Sequence, residues 1–192
     1  MKRIVVLISG GGSNLQALIE ACADGRIAGR IVLVLSNRAE AFGLARARKA
    51  GIEAICLTRR GHASRADFDT TVAQRIALAK PDLVVLAGWM HILGAEFLDH
   101  CPAKVINLHP ALPGAFPGTD AIARALGAFQ RGEIAGTGAM VHEVIAEIDA
   151  GPVLGTVPVP ILATDDLATL STRMHAAEHR LLVDVVRKIT GL

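Results

Sequence analysis

The chain has 192 residues, enough for one domain of ordinary size, and is 52% hydrophobic but only 3% aromatic, with no tyrosine. A formal net charge of +2 with mixed signs leaves no basic stripe, and Trp89 is the single tryptophan, which argues against a nucleic-acid binder. Cys22, Cys56 and Cys101 form neither a C-x-x-C pair nor a disulfide framework, which fits a reducing, cytoplasmic setting, and no apolar run approaches a membrane span.

The first apolar run, 3–8, is too short for a signal peptide and stops at Ser9-Gly10-Gly11-Gly12-Ser13-Asn14, so it reads as a strand leading into a helix over 13–24. Glycines at such a junction let the backbone approach an anion, which free N–H groups and the helix dipole stabilise. The Gly-Lys-Ser/Thr ending of a P-loop is absent, and Leu15 stands where G-x-G-x-x-G needs its third glycine. A phosphomonoester therefore fits better than a dinucleotide. The alternative is a tight turn with Ser13 or Asn14 capping the helix.

Strand patterns follow at 31–36, 53–57, 82–87 and 104–109, separated by helical patterns at 41–50, 63–79 and 94–99. This alternation predicts an α/β fold with a doubly wound, mostly parallel sheet. Gly88-Trp89-Met90-His91-Ile92-Leu93 forms a small apolar wall after the fourth strand, either core packing or a rest for a flat heterocycle. The fifth strand ends Asn107-Leu108-His109-Pro110. Strand side chains alternate, so Asn107 and His109 share one face and Ile106 and Leu108 the other, while Pro110 ends the ladder. An amide and an imidazole side by side suit polarising a carbonyl and moving a proton.

Beyond Pro117 the pattern predicts a helix over 120–130, antiparallel strands at 136–145 and 152–160, and a C-terminal helix over 164–190 with Asp165 and Asp166 in its first turn. Asp149, between the late strands, is either a turn residue before Gly151-Pro152 or a carboxylate completing the set. His175-Ala176-Ala177-Glu178-His179 matches the H-x-x-E-H pattern of some zinc peptidases, but no distant third ligand follows it. The whole chain, 1–192, is expected to form a single domain. In a sheet ordered 3-2-1-4-5, ligands bind where strand order reverses. That brings the Ser9–Asn14 loop, the Gly88–Leu93 loop and the Asn107/His109 edge to one crevice.

Together these segments resemble the folate-dependent formyltransferases, and within them the branch that formylates glycinamide ribonucleotide in purine biosynthesis. The resemblance runs nearly the whole chain, through Ser9 to Leu15, Ser36-Asn37-Arg38, Asp82 to Met90, Asn107 to Pro110, Gly136-Thr137-Gly138, Val141-His142 and Asp149 to Val153. It implies Asn107, His109 and Asp149 as catalytic residues, and Gly12, Ser13, Asn14 and Glu178 as contacts to the phosphate and ribose. It implies a folate site at Arg65, Met90, His91, Ile92, Leu93, Asn107, Val141 and His142, the last two through the backbone near 140–145. Glu178 thereby gains a role that involves no metal.

The implied co-substrate is 10-formyltetrahydrofolate, with no metal, no nucleic-acid partner and no membrane, in a monomer or homodimer. His91 stands where relatives often carry Arg, Gly11 where Asn is frequent, and Ala111 to Phe116 replaces the commoner Ser-Leu-Leu-Pro run. A tRNA-directed relative needs a second domain and a deformylase usually carries an N-terminal one. Neither is expected in a chain that begins at its first strand and stops at Leu192. The implied chemistry has the amine attack the formyl carbon while Asn107 and a protonated His109 donate to the oxyanion. Asp149 raises the His109 pKa in that scheme.

Overall fold

The computed structural model describes residues 1–191; Leu192, the last residue of the expected domain, lies outside the described residues. In chain order the elements are β1 (Lys2–Ile8), α1 (Ser13–Ala23), β2 (Gly29–Ser36), α2 (Phe42–Lys49), β3 (Ala54–Cys56), α3 (Arg65–Leu78) and β4 (Leu83–Leu86). They continue with α4 (Ala95–His100), β5 (Lys104–His109), α5 (Ala121–Gln130), β6 (Gly136–Glu143), β7 (Val153–Pro160) and α6 (Leu167–Thr190). The seven strands form one sheet in the order β3-β2-β1-β4-β5-β6-β7. Neighbours from β3 to β5 pair parallel, whereas β5–β6 and β6–β7 pair antiparallel. The expected doubly wound sheet with late antiparallel strands is thus present.

Strand alternation sorts the core into two layers. Ile4, Val6 and Ile8 of β1 pack with Leu15 and Leu18 of α1 and with Leu181 and Val185 of α6. Val5 and Leu7 point the other way, against Phe68, Val72 and Ile76 of α3. Both faces of the sheet are covered, as the continuous apolar runs require. Burying side chains of this size contributes about 1.5–3 kcal/mol each relative to exposure. Among the described residues no helix is long and apolar enough to cross a membrane.

Two boundaries differ instructively from the sequence pattern. α6 starts at Leu167, so Asp165 and Asp166 precede the helix instead of filling its first turn. Asp166 is the N-cap: its Oδ1 accepts from Thr169 N–H at 2.8 Å, and its own N–H donates to Thr169 Oγ1. Asp165 instead accepts from both terminal nitrogens of Arg173, at 2.6 and 2.9 Å. β6 stops at Glu143 and not 145, and its end is tied to the neighbouring segments by Glu143 N–H to Pro152 O and Val144 N–H to Val105 O.

The reversal of strand order falls between β1 and β4. β1 runs out into β2 and β3 on one side, and the chain returns to place β4 on its other side. Their carboxyl ends are tied directly, with Ser9 N–H donating to Gly88 O at 3.0 Å. The three segments singled out from sequence therefore share one edge.

Candidate active site

The centre of the site is built by β5 and the loop between β6 and β7. Val105, on the Asn107 and His109 side of β5, packs among the α3-side core, while Ile106 and Leu108 join the opposite layer. Asn107 and His109 therefore share a face at the strand's carboxyl end. β6 runs antiparallel beside them and pairs Asn107 with His142. The following turn returns Asp149 to the same spot. Asp149 Oδ1 lies 3.2 Å from Asn107 Nδ2, and Asp149 Oδ2 lies 3.5 Å from His109 Nδ1.

Asp149 adopts a left-handed backbone, φ 53, which Asp and Asn tolerate better than most residues. Gly118 N–H donates to its Oδ2 at 2.9 Å. Two residues on, Gly151 is pressed so closely to the Glu143 carbonyl that a Cβ has no room. The turn is thus shaped to hold the carboxylate. Burial works against its charge, but the adjoining His142 side chain, the Gly118 N–H and the His109 imidazole together hold Asp149 below its ordinary pKa.

His109 is 4% exposed. Its Nε2 donates to Phe116 O at 3.1 Å; a carbonyl only accepts, so this bond keeps the proton on Nε2. Nδ1 then faces Asp149. The direction of its pKa shift differs from the sequence expectation. Burial pushes the imidazole pKa down, Asp149 and the Phe116 carbonyl pull it up, and the net shift is below the ordinary value. Asp149 does act on His109 as expected, but desolvation outweighs it. Nδ1 is thereby left beside the Asp149 carboxylate.

Asn107 carries a second finding. Its Nδ2 lies 3.2 Å from Asp149 Oδ1 and 3.2 Å from His142 Nε2. His142 Nδ1 sits 2.8 Å from Glu143 O, which assigns the ring proton to Nδ1 and leaves Nε2 as an acceptor. Both amide hydrogens of Asn107 are therefore engaged, and one must leave its partner before the amide can donate to an oxyanion.

At the other side of the crevice, Gly12 is the N-cap of α1 and has no side-chain cap. Gly12, not Ser13 or Asn14, holds the cap position, contrary to the tight-turn alternative, and among the described residues no side chain caps the first-turn N–H groups. Asn14 is turned inward: its Nδ2 donates to Glu178 Oε2 at 3.1 Å, and its Oδ1 is buried without a hydrogen-bond partner among the described residues. Burial raises the Glu178 pKa despite that donation. Glu178 thus leaves the H-x-x-E-H pattern to serve the glycine loop. Among the described residues no three His, Cys, Asp or Glu side chains are grouped to hold a metal.

The glycine loop is held from behind. Arg46 Nε donates to Gly11 O at 2.9 Å while its guanidinium lies 5.0 Å over the Phe42 ring. Gly12 has φ 71, and a Cβ there would sit 2.7 Å from the Gly43 Cα. Gly12→Ala is therefore expected to lower stability by about 1–3 kcal/mol through overpacking and backbone strain. Urea unfolding checks the size of the loss, and a variant as stable as the parent contradicts this account of the contact.

The wall after β4 presents Met90 and Ile92 to solvent, at 61% and 51% exposure, whereas Leu93 is buried in the α3-side core. Arg65 Nη2 donates to Ile92 O at 2.5 Å, which brings the expected basic residue to the wall. The Val141 side chain is wholly buried in the opposite core layer with Ile106 and Leu108, since β6 alternation sends His142 toward Asn107, so Val141 can offer the crevice only its main chain.

Sequence reasoning passed over four contributors: the Phe116 carbonyl, the Gly118 N–H, the Ser9 hydroxyl and Asp69. Ser9 Oγ donates to Asn37 Oδ1 at 2.6 Å and accepts from Met90 N–H at 2.8 Å. Phe116 has φ 47, unusual for a bulky residue, with Arg124 5.6 Å from its ring. The Phe116-Pro117-Gly118 turn was the available signal for the first two.

The formyl transferase family matches residues 2–186 of the chain. The chain is 48% identical over 198 residues to the phosphoribosylglycinamide formyltransferase of Schizosaccharomyces pombe, covering 97% of this chain and 96% of that protein. It is 42% identical to the protein of the same description from Escherichia coli, over 92% of this chain and 81% of that one. The crystal structure of glycinamide ribonucleotide transformylase 1 from Symbiobacterium toebii superposes with a TM-score of 0.93 at 40% identity, covering 99% of this chain and 88% of that one.

Proposed function

The chain belongs to the formyl transferase family, and from that premise we propose that it moves the formyl group of 10-formyltetrahydrofolate to the amine of glycinamide ribonucleotide, a step of de novo purine (IMP) biosynthesis. The observation that carries the chemistry is the meeting of an imidazole, an amide and a carboxylate at the end of β5, with Asp149 Oδ2 3.5 Å from His109 Nδ1 and Asp149 Oδ1 3.2 Å from Asn107 Nδ2. The uncapped α1 N-terminus supports the ribonucleotide phosphate at Gly12, Ser13 and Asn14, with Glu178 for the ribose. The exposed apolar Met90 and Ile92, beside Arg65, support the folate on the other flank.

In the proposed cycle the amine nitrogen bonds to the formyl carbon and gives a tetrahedral oxyanion and an ammonium. Asn107 donates to the oxyanion, a contribution typically worth about 10²–10³ in rate per donor. Neutral His109 takes the ammonium proton, and the imidazolium that forms stands against the Asp149 carboxylate. The bond to the folate nitrogen then breaks, and His109 returns the proton to that nitrogen. One proton has moved from the amine to the leaving nitrogen, and no metal is called for. Residues 1–192 act in this reading as a single catalytic domain, cytoplasmic, as a monomer or homodimer.

The test is to follow tetrahydrofolate release from 10-formyltetrahydrofolate with and without glycinamide ribonucleotide. Release that requires the ribonucleotide is the expected result. Release at the same rate without it overturns the transferase reading in favour of a deformylase.

A further inference from the structure

We propose that Asp69 is a positioning residue for the folate side of the site; the proposal rests on the reading of residues 90–93 as the folate wall. Asp69 lies one helical turn after Arg65 on α3 and is 0% exposed. Its carboxylate is nevertheless committed to the 90–94 loop. Oδ2 accepts from Gly94 N–H at 2.8 Å, and Oδ1 lies 2.8 Å from His91 Nε2. Arg65 completes the grip, with its Nε 3.7 Å from Asp69 Oδ2 while its Nη2 donates to Ile92 O. Two residues of one helix thus hold a side chain, a carbonyl and an amide of a single short loop.

The His91 ring has little freedom. Phe68 and Trp89 meet it edge to face, with centroids 5.1 and 6.3 Å away and interplanar angles of 85° and 89°. Burying a carboxylate carries a large desolvation cost, which only well-made partners offset. Here the partners belong to the loop that presents Met90 and Ile92 to solvent. The carboxylate therefore sets the shape of a surface that Asp69 itself does not reach. Loss of the clamp should be felt by the ligand resting on that surface, and little by the ribonucleotide or the proton relay.

The experiment measures KM for both substrates, kcat and thermal stability for Asp69→Ala, Asp69→Asn and Ile92→Ser. For Asp69→Ala we expect KM for 10-formyltetrahydrofolate to rise about 10-fold, the scale of one lost charge-assisted hydrogen bond, with kcat and the ribonucleotide KM changing by less than about 2-fold. Asp69→Asn keeps an acceptor for Gly94 N–H, so about a 3-fold rise is expected, and it carries the test if the alanine variant does not fold. Equal rises in both KM values, or an unchanged folate KM in folded Asp69→Asn, overturn the proposal. Ile92→Ser separates the premise from the clamp. An unchanged folate KM there removes the wall and the proposal with it. A rise there with none in the Asp69 variants removes only the clamp.

Discussion

Asp149→Asn is expected to fold like the parent and to lose about 10²–10⁴-fold in kcat, the range typical of a lost proton-transfer partner. Asn is chosen because residue 149 has φ 53, a conformation Asn accepts as readily as Asp, so little backbone strain is introduced. The amide can still meet Gly118 N–H through its oxygen, which keeps the turn in place. It cannot offer a negative charge to His109. Imidazolium forming on Nδ1 then stands buried and uncompensated.

A signed pH effect accompanies the loss. Burial already holds the His109 pKa below its ordinary value, and Asp149 is the largest of the influences that raise it. Removing that charge lowers the pKa further. The relay needs neutral His109 at the outset, so parent activity falls as pH drops through the His109 pKa. In Asp149→Asn that acid limb moves to lower pH. A kcat–pH profile whose acid limb moves to higher pH, or a variant with near-parent kcat, contradicts the assignment.

His109→Ala is expected to cost at least about 10²-fold in kcat, since the relay loses its only proton carrier. The truncation also strands the Phe116 carbonyl that now accepts from Nε2, at about 1–3 kcal/mol of stability. Activity is therefore measured well below the variant's melting temperature. The paired variant adds a sharper outcome. Residues that act as a unit are not additive, so Asp149→Asn combined with His109→Ala should be hardly slower than His109→Ala alone. Losses that multiply indicate that the two residues work independently. Acid stability follows the same groups, because Asp149 and His109 both have lowered pKa values in the folded state. Each then contributes stability above its unfolded pKa that is lost as pH falls toward its folded one.

Much of this arrangement was legible because strand alternation is a strict rule. Asn107 and His109 occupy one face of β5 for the same reason that Ile106 and Leu108 join the core on the other. The same rule, applied to β6, assigns Val141 to the core once His142 faces Asn107. That inference needs the β5–β6 register, which no local pattern supplies. Asp149 was legible only as a turn residue or a carboxylate in waiting, since its contact with Asn107 spans 42 positions. The downward pKa shift of His109 was not legible because proximity can be guessed from a motif, whereas desolvation depends on the whole fold. Asp69 was hidden for a similar reason: within a helical pattern a single acidic residue looks like a solvated one.

Ser9 sits where the two halves of the crevice meet. Its main chain begins the glycine turn, and its hydroxyl is shared between Asn37 and the N–H of Met90 in the apolar wall. In the proposed reading, the loop for the phosphate and the loop for the folate are therefore fastened to the same buried side chain. Thermodynamic linkage makes such a fastening reciprocal: whatever factor the ribonucleotide imposes on folate affinity, the folate imposes on ribonucleotide affinity. In the proposed reading, synergy between the two substrates would run through this joint between the loops.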